Sequence, residues 1–228
     1  IAGKTLLKTE LKALKQLAGQ IGVSIEKLLT EKADGYTGWG WFSKECDRVK
    51  IWDGRVVWLI LREMKIEEID LEPIGRLGEI KSIDLNRNKI KKIDLTPLSK
   101  CEKLEYLHLD HNQLVEIKLA ELKSLKELHL NNNRLERIDL TPLSKCEKLE
   151  ELNLHENQLE HIDLSPLSSL KNLKKLSLYG NKFSSLNISP IAHLKGLRIC
   201  VSPNVVLRGA NVKLVERSKD RGVGSVSY

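Results

Sequence analysis

Aromatic side chains make up 4% of the 228-residue chain, with one methionine and two phenylalanines. An aromatic-centred core is excluded, so leucine and isoleucine must build whatever core there is. Long apolar runs are missing too: the longest, Val56 to Leu61, stops far short of the roughly 20 residues of a membrane-spanning helix. Lys4 and Lys8 break up the apolar stretch of about 7–15 residues that a secretion signal would need. The chain opens on Ile1, which leaves open what precedes it. The sequence holds no phosphate-cradling glycine loop, no nucleophile elbow and no pair of histidines at metalloprotease spacing. No catalytic residue, cofactor, metal or small-molecule substrate is therefore expected.

Cysteine is scarce and scattered, at Cys46, Cys101, Cys146 and Cys200. Cys101 and Cys146 fall at equivalent places in an internal repeat, two strands apart, which at about 4.8 Å per strand is roughly 10 Å. That exceeds the roughly 7 Å Cα limit for a disulfide. Reduced, buried thiols point to a cytoplasmic setting.

The net charge of +7 is unevenly spread. Residues 1–50 carry nine Lys/Arg against six Asp/Glu, residues 51–194 carry 22 against 23, and residues 195–228 carry seven against two. The basic excess sits at the two ends, so the middle of the chain lacks the electrostatic footprint of a nucleic-acid binder. Neither nucleic acid nor membrane is an expected partner.

What the chain has in abundance is self-similarity. Ile93 to Glu105 read IDLTPLSKCEKLE, and Ile138 to Glu150 repeat the same thirteen residues. Units open at Val56, Ile80, Leu104, Leu125, Leu149 and Leu173, with a degenerate last one from Leu197 in which Cys200 takes the fourth-position leucine's place. Each unit runs L-x-x-L-x-L-x-x-N-x-L, as in Leu104, Leu107, Leu109, Asn112 and Leu114. Leucines at the fourth and sixth places alternate with polar residues, the period-2 pattern of a short strand with one buried face. One unit cannot bury that face alone, so neighbours must stack. Asn88, Asn112, Asn133, Asn157 and Asn181 recur where each strand ends, and a column of amides there can satisfy backbone groups left unpaired by the turn. Pro97, Pro142, Pro166 and Pro190 each suit the first position of a short outer helical turn. The third unit lacks three residues and its proline, which predicts a tighter outer side between Lys118 and Ser124.

This pattern resembles the leucine-rich repeat family, from Val56 to about Cys200. The resemblance implies an α/β solenoid, with a curved parallel β-sheet on the concave side and short helical or 3-10 turns on the convex side. The expected organisation is an N-terminal helical segment and Trp-rich cap over 1–48, a solenoid of about six repeats over 49–200, and a C-terminal cap and tail over 201–228. Asp53-Gly54 marks a hairpin leading into the first unit. Trp39, Trp41 and Trp52 are expected to cap it.

Over residues 4–33 the pattern is helical, with Leu7, Leu11, Leu14 and Ile21 on one face, Gly22 as a stop and Ser24 as N-cap of a second helix through Lys32. The stretch Leu17–Leu28 resembles helix-turn-helix DNA-binding motifs, which makes a DNA-binding regulator using residues 1–35 the alternative function. Its second helix, however, offers few base-reading side chains. A structural module of a larger protein is the other alternative.

Third, fifth and seventh residues of each unit point to the concave side. There the chain places Trp58, Asp84, Tyr106, His108, Asp110, Glu127, His129, Glu151, His155 and Tyr179. The expected function is non-catalytic binding of a protein or peptide through this mildly acidic face, with Trp58, Tyr106 and Tyr179 as anchors. His108 and His129 share a column about 4.8 Å apart. As solvated surface groups they would contact a partner. A pH switch ranks next, and a metal set of the two with Glu127 or Asp110 ranks last. Regularly spaced, exposed groups of this kind are expected to keep ordinary pKa values.

Overall fold

The computed structural model describes residues 6–34, 45–209 and 215–217. Two helices, α1 (Lys8–Gln20) and α2 (Ile25–Thr30), precede strands β1 (Lys32–Asp34), β2 (Glu45–Asp47), β3 (Val49–Trp52) and β4 (Arg55–Ile60). Then come β5 (Ser82–Asp84), β6 (Lys92–Asp94), β7 (Tyr106–His108), β8 (Glu116–Lys118), β9 (Glu127–His129), β10 (Glu151–Asn153), β11 (Lys175–Ser177), β12 (Ser185–Asn187), β13 (Arg198–Val201), β14 (Val206–Arg208) and β15 (Val215–Arg217). One nine-stranded sheet runs in the order β15-β13-β11-β10-β9-β7-β5-β4-β3, parallel except for the antiparallel β3–β4 pair. The strands pair in unit-to-unit register, for example Leu107↔Leu128 and Leu128↔Leu152.

The stacking that the leucine spacing predicts is what forms. Leu107, Leu128 and Leu152 have no exposed surface, and the repeat leucines and isoleucines join one continuous core. At about 25 cal/mol per Å² of apolar area, burying each such side chain stabilises the stack by roughly 1.5–3 kcal/mol. On the outer side, 3-10 turns at Thr96–Lys100, Thr141–Lys145, Ser165–Leu167 and Ser189–Ile191 each carry proline in their first turn. The third unit makes no such turn among the described residues, in keeping with its missing proline.

The asparagine column is a hydrogen-bond ladder. Asn112 Oδ1 accepts from Ile90 N in the preceding unit, and its Nδ2 donates to the carbonyls of Leu85 and Leu109. Asn88, Asn133, Asn157 and Asn181 repeat the arrangement, and Asn88 Oδ1 also holds the amide of Met64, which stands in the asparagine position of the first unit. The residue just before each asparagine is left-handed: Arg87, His111, Asn132, Glu156 and Gly180 have φ of 53, 52, 55, 53 and 66°.

The N-terminal end is built around a buried carboxylate. Glu10 is 1% exposed, and its Oε2 accepts from the Val56 amide at 3.0 Å, tying α1 to the first repeat strand. Helix α1 buries Glu10, Ala13, Leu14, Leu17 and Ala18. This corrects the expected face: Leu14 belongs to it, but Leu7 is 41% exposed and Leu11 and Ile21 are only half-buried. The two alanines let the helix approach closely, which rotates the packed face. Ser24 caps α2 as expected, accepting from Lys27 N, but the helix ends at Thr30 and the chain turns into β1, paired antiparallel with β2. A six-residue helix feeding a strand is short for a groove-reading helix. The Asp53-Gly54 turn has φ of 46 and 71°, the left-handed pair that a tight hairpin needs. Trp52 at its tip is 73% exposed, contrary to its expected capping role. Trp39, Trp41 and the tail at 222–228 lie outside the described residues.

At the other end the parallel register continues past residue 200. Leu176 pairs with Ile199 and Ser177 with Cys200, so one residue has dropped out after Leu197. Ile199 and Val201 take the buried strand positions, and Cys200 turns to the open face instead of replacing a core leucine. Strand β14 pairs with β12 on the outer side, and β15 extends the main sheet beside β13.

Candidate functional site

Strand alternation carries the third, fifth and seventh residues of each unit onto the open face in three rows. Register places Trp58, Ser82, Tyr106, Glu127, Glu151 and Lys175 in the first row, and Asp84, His108, His129, Asn153 and Ser177 in the second. Asn86, Asp110, Asn131, His155 and Tyr179 follow two residues further along their units. All ten expected binding residues therefore lie on one face, but they are not equally available.

Trp58 is half-buried beside β3, with Lys50 Nζ 3.7 Å above its ring centroid, a cation–π contact that occupies one face of the indole. Ile60 and Arg62, further along the same unit, are buried at 4% and 3% exposure. The open surface therefore begins at the second unit.

Side chains one strand apart lie flank to flank. The rings of His108 and His129 stack at 4.8 Å between centroids with 12° between planes, as their shared column predicts. His155 and Tyr179 stack likewise at 4.4 Å and 11°. Asn153 Oδ1 contacts His155 Nδ1 at 2.5 Å, and Ser177 Oγ lies 3.5 Å from the same nitrogen. Lys175 Nζ sits 2.9 Å from Glu151 Oε1. Lys126 pairs with Glu105 just outside these rows at 2.8 Å.

This crowding overturns the expectation of exposed groups with ordinary pKa values. Asp84 is 3% exposed, and burial pushes its carboxyl up to about 6, against the backbone amide of Asn86 that Oδ1 accepts. Burial raises Asp110 and Glu127 as well. Burial lowers His108 well below the ordinary imidazole value, and it brings His155 down to about 4, with His129 and Lys175 adding repulsion. Spacing along one strand gave the direction of each side chain but not how closely the next strand's chain would cover it.

The metal set anticipated from His108, His129 and a carboxylate does not assemble in that form. The carboxylates nearest His129 Nε2 are Glu127 at 3.6 Å and Glu151 at 3.7 Å, and His108 serves as a stacking neighbour. Glu151 enters because register sets it directly opposite Glu127. Cys101 and Cys146 are buried, and burial raises their thiols to about 12 and 11, which leaves them protonated core filler.

The leucine rich repeat family model matches residues 55–114 and 123–183. No curated protein matches the chain. Among solved structures, the Leptospira interrogans LRR protein LIC12759 is 29% identical, with a TM-score of 0.53 over 59% of this chain and 34% of that one. The leucine-rich repeat domain of APL1B is 24% identical, with a TM-score of 0.58 over 70% of this chain and 49% of that one. The LRR ectodomain of the Arabidopsis thaliana receptor kinase SOBIR1 is 22% identical, with a TM-score of 0.51 over 91% and 99%. The chain thus spans about a third and about a half of the first two.

Proposed function

From the premise that this chain belongs to the leucine-rich repeat family, a fold generally used for protein–protein interaction, we propose that it is a non-catalytic scaffold binding a protein or peptide on its concave face. The observation that carries this reading is a contrast within each unit. The repeat holds leucine or isoleucine at the fourth and sixth places and, from the second unit to the sixth, asparagine at the ninth, while the third, fifth and seventh vary freely. On those places, across the second to sixth units, fall Tyr106, Asp110, Glu127, Glu151, His155 and Tyr179. Structural demand does not explain aromatic rings and carboxylates there, and contact with a partner does.

Arg62 is buried, so within the six units only Lys175 is a cation near the surface, with Arg198 continuing its row at the C-terminal end, against the carboxylates of Asp110, Glu127 and Glu151. That balance fits a partner with basic groups and repels phosphate. Half-exposed Tyr106 and Tyr179 are its apolar anchors. Trp58 contributes less, because Lys50 already covers one face of its ring.

A cytoplasmic setting accompanies this proposal: Cys101, Cys146 and Cys200 form no disulfide. No helix of the described residues is long and apolar enough to cross a membrane.

Affinity capture from the native lysate, wild type beside a Tyr106→Ala/Glu127→Lys variant, tests the reading. Partners held by the wild type should be lost from the variant while both melt alike. The same partners on both would mean that binding occurs elsewhere.

A further inference from the structure

We propose that Glu127, His129 and Glu151 form a binding site for a divalent transition-metal ion of the zinc type on the concave face. The backbone builds the set. Glu127 and His129 are alternate residues of β9, so both point to the open side, and Glu151 lies opposite Glu127 in register on β10. One ligand atom from each lies within 4.8 Å of the other two, with His129 Nε2 at 3.6 Å from Glu127 Oε2 and 3.7 Å from Glu151 Oε1. Those separations are too long for hydrogen bonds. They are close to the edge of a tetrahedron around zinc, which for bonds near 2.1 Å is about 3.4 Å. Shifts of a few tenths of an ångström, within reach of side-chain torsions, would bring the two His–Glu pairs onto an ion, and the Glu127 and Glu151 oxygens, within 4.8 Å of each other, would close by side-chain rotation.

Three further features favour a bound cation. Like charges directly opposite each other on neighbouring strands are destabilising, and here two carboxylates are so placed. Second, Asn131, two residues beyond His129 on the same unit and 7% exposed, keeps its Oδ1 buried without a hydrogen-bond partner. Third, the His108 ring stacked on His129 restricts the rotation of that imidazole and so holds its Nε2 toward the two carboxylates.

The donor chemistry selects the class of ion. One imidazole with two carboxylates suits zinc and its transition-metal neighbours, whereas calcium takes six to eight oxygens and magnesium an octahedron of them. The three side chains are 18–22% exposed but His129 Nε2 itself is buried, so an ion would meet the two carboxylates first, and a fourth position is left for water or a partner's group. Lys175 is the built-in competitor. Its Nζ lies 2.9 Å from Glu151 Oε1, the oxygen that also faces His129, and must release it when metal enters.

That competition makes the proposal testable on the isolated full chain, independently of any protein partner. Calorimetric titration of the metal-stripped protein with Zn²⁺ should show one equivalent bound, with Co²⁺ giving the visible bands of tetrahedral coordination. His129→Ala and Glu127→Gln should each weaken binding at least about tenfold, Lys175→Met should tighten it several-fold, and the convex-side control His161→Ala should leave it unchanged. Circular dichroism melts keep a folding defect from passing for a lost ligand, and Glu151→Gln substitutes for any variant that fails to fold. No zinc heat in either wild type or Lys175→Met overturns the assignment. So does zinc binding that survives both His129→Ala and Glu127→Gln, and so does equal affinity for Ca²⁺.

Discussion

Asn133→Ala should be among the most damaging single substitutions that leave every leucine in place. Its Oδ1 accepts the Leu114 amide at 2.9 Å, and its Nδ2 donates to the carbonyls of Leu109 and Leu130, both at 3.0 Å. A longer contact of Nδ2 to the Asn131 carbonyl, at 3.4 Å, is backed by the His111 amide, and the other three lost contacts are not equivalent. Leu109 and Leu130 keep a second donor, from Asn112 and Asn157 respectively. Only the buried Leu114 amide loses its asparagine partner with no second one from the ladder. An orphaned buried donor costs about 1–3 kcal/mol and each weakened carbonyl about 0.5–1, for a loss of roughly 2–5 kcal/mol. In a domain of this size that lowers Tm by about 10 °C. Urea denaturation followed by circular dichroism at neutral pH reads the loss directly. Asn133→Asp sharpens the test, because it keeps the acceptor but turns an oxygen toward two carbonyls, so it should cost at least as much as alanine. Asn181→Ala, at a half-buried site nearer the end of the stack, should cost less. A loss below about 1 kcal/mol for Asn133→Ala, or a tolerated aspartate, would refute the ladder as a source of stability.

Gly180→Ala should destabilise by about 1–2 kcal/mol through its φ of 66°. A Cβ there would lie 2.5 Å from Glu156 Oε1, the flexible end of a side chain that can swing aside, so adding Glu156→Ala should not restore stability. Asp84 has a folded value of about 6 against an ordinary 3.8, so its proton-linked stability is present below pH 3.8 and is lost as pH rises through 6. Asp84→Asn should accordingly gain about 1–3 kcal/mol at pH 7.5 relative to its effect at pH 4.5, and equal effects at the two pH values would contradict the burial argument. His155 runs the other way: lowered from 6.5 to about 4, it stabilises above pH 6.5 and loses that contribution as pH falls toward 4. His155→Gln should flatten the acid limb of a stability–pH profile, and an unchanged slope between pH 6.5 and 4 would count against it.

Much of this architecture is legible in the sequence because a repeat states each rule several times. Leucine alternation gives the strands and their buried side, and the fixed asparagine gives the ladder. The prolines give the outer turns, and the third unit's shortened text gives its missing one. Three things resist that reading. The slip after Leu197 is invisible because Leu197, Ile199 and Val201 are all apolar, so two registers look equally good until β13 pairs with β11. The face of α1 is set by close approach at Ala13 and Ala18 and by the buried Glu10, whereas counting large apolar residues selects Leu7 and Leu11. The shifted protonation of Asp84, His108 and His155 comes from neighbours on adjoining strands, about two dozen residues away along the chain. Glu151 was legible as a concave residue, and its place beside His129 follows only once the register sets it opposite Glu127.

The ladder also has a direction. Each asparagine closes the layer before its own: Ile66, Ile90, Leu135 and Leu159 wait for an amide oxygen 22 residues downstream, and Leu114 for one 19 downstream. Clipping layers from the C-terminal side unseals the one left behind, whereas clipping from the front strands only an outward-looking amide. On a ribosome, which delivers the front first, every layer would stay ajar until roughly another unit's worth of chain had emerged, so the solenoid would close one step behind its own synthesis.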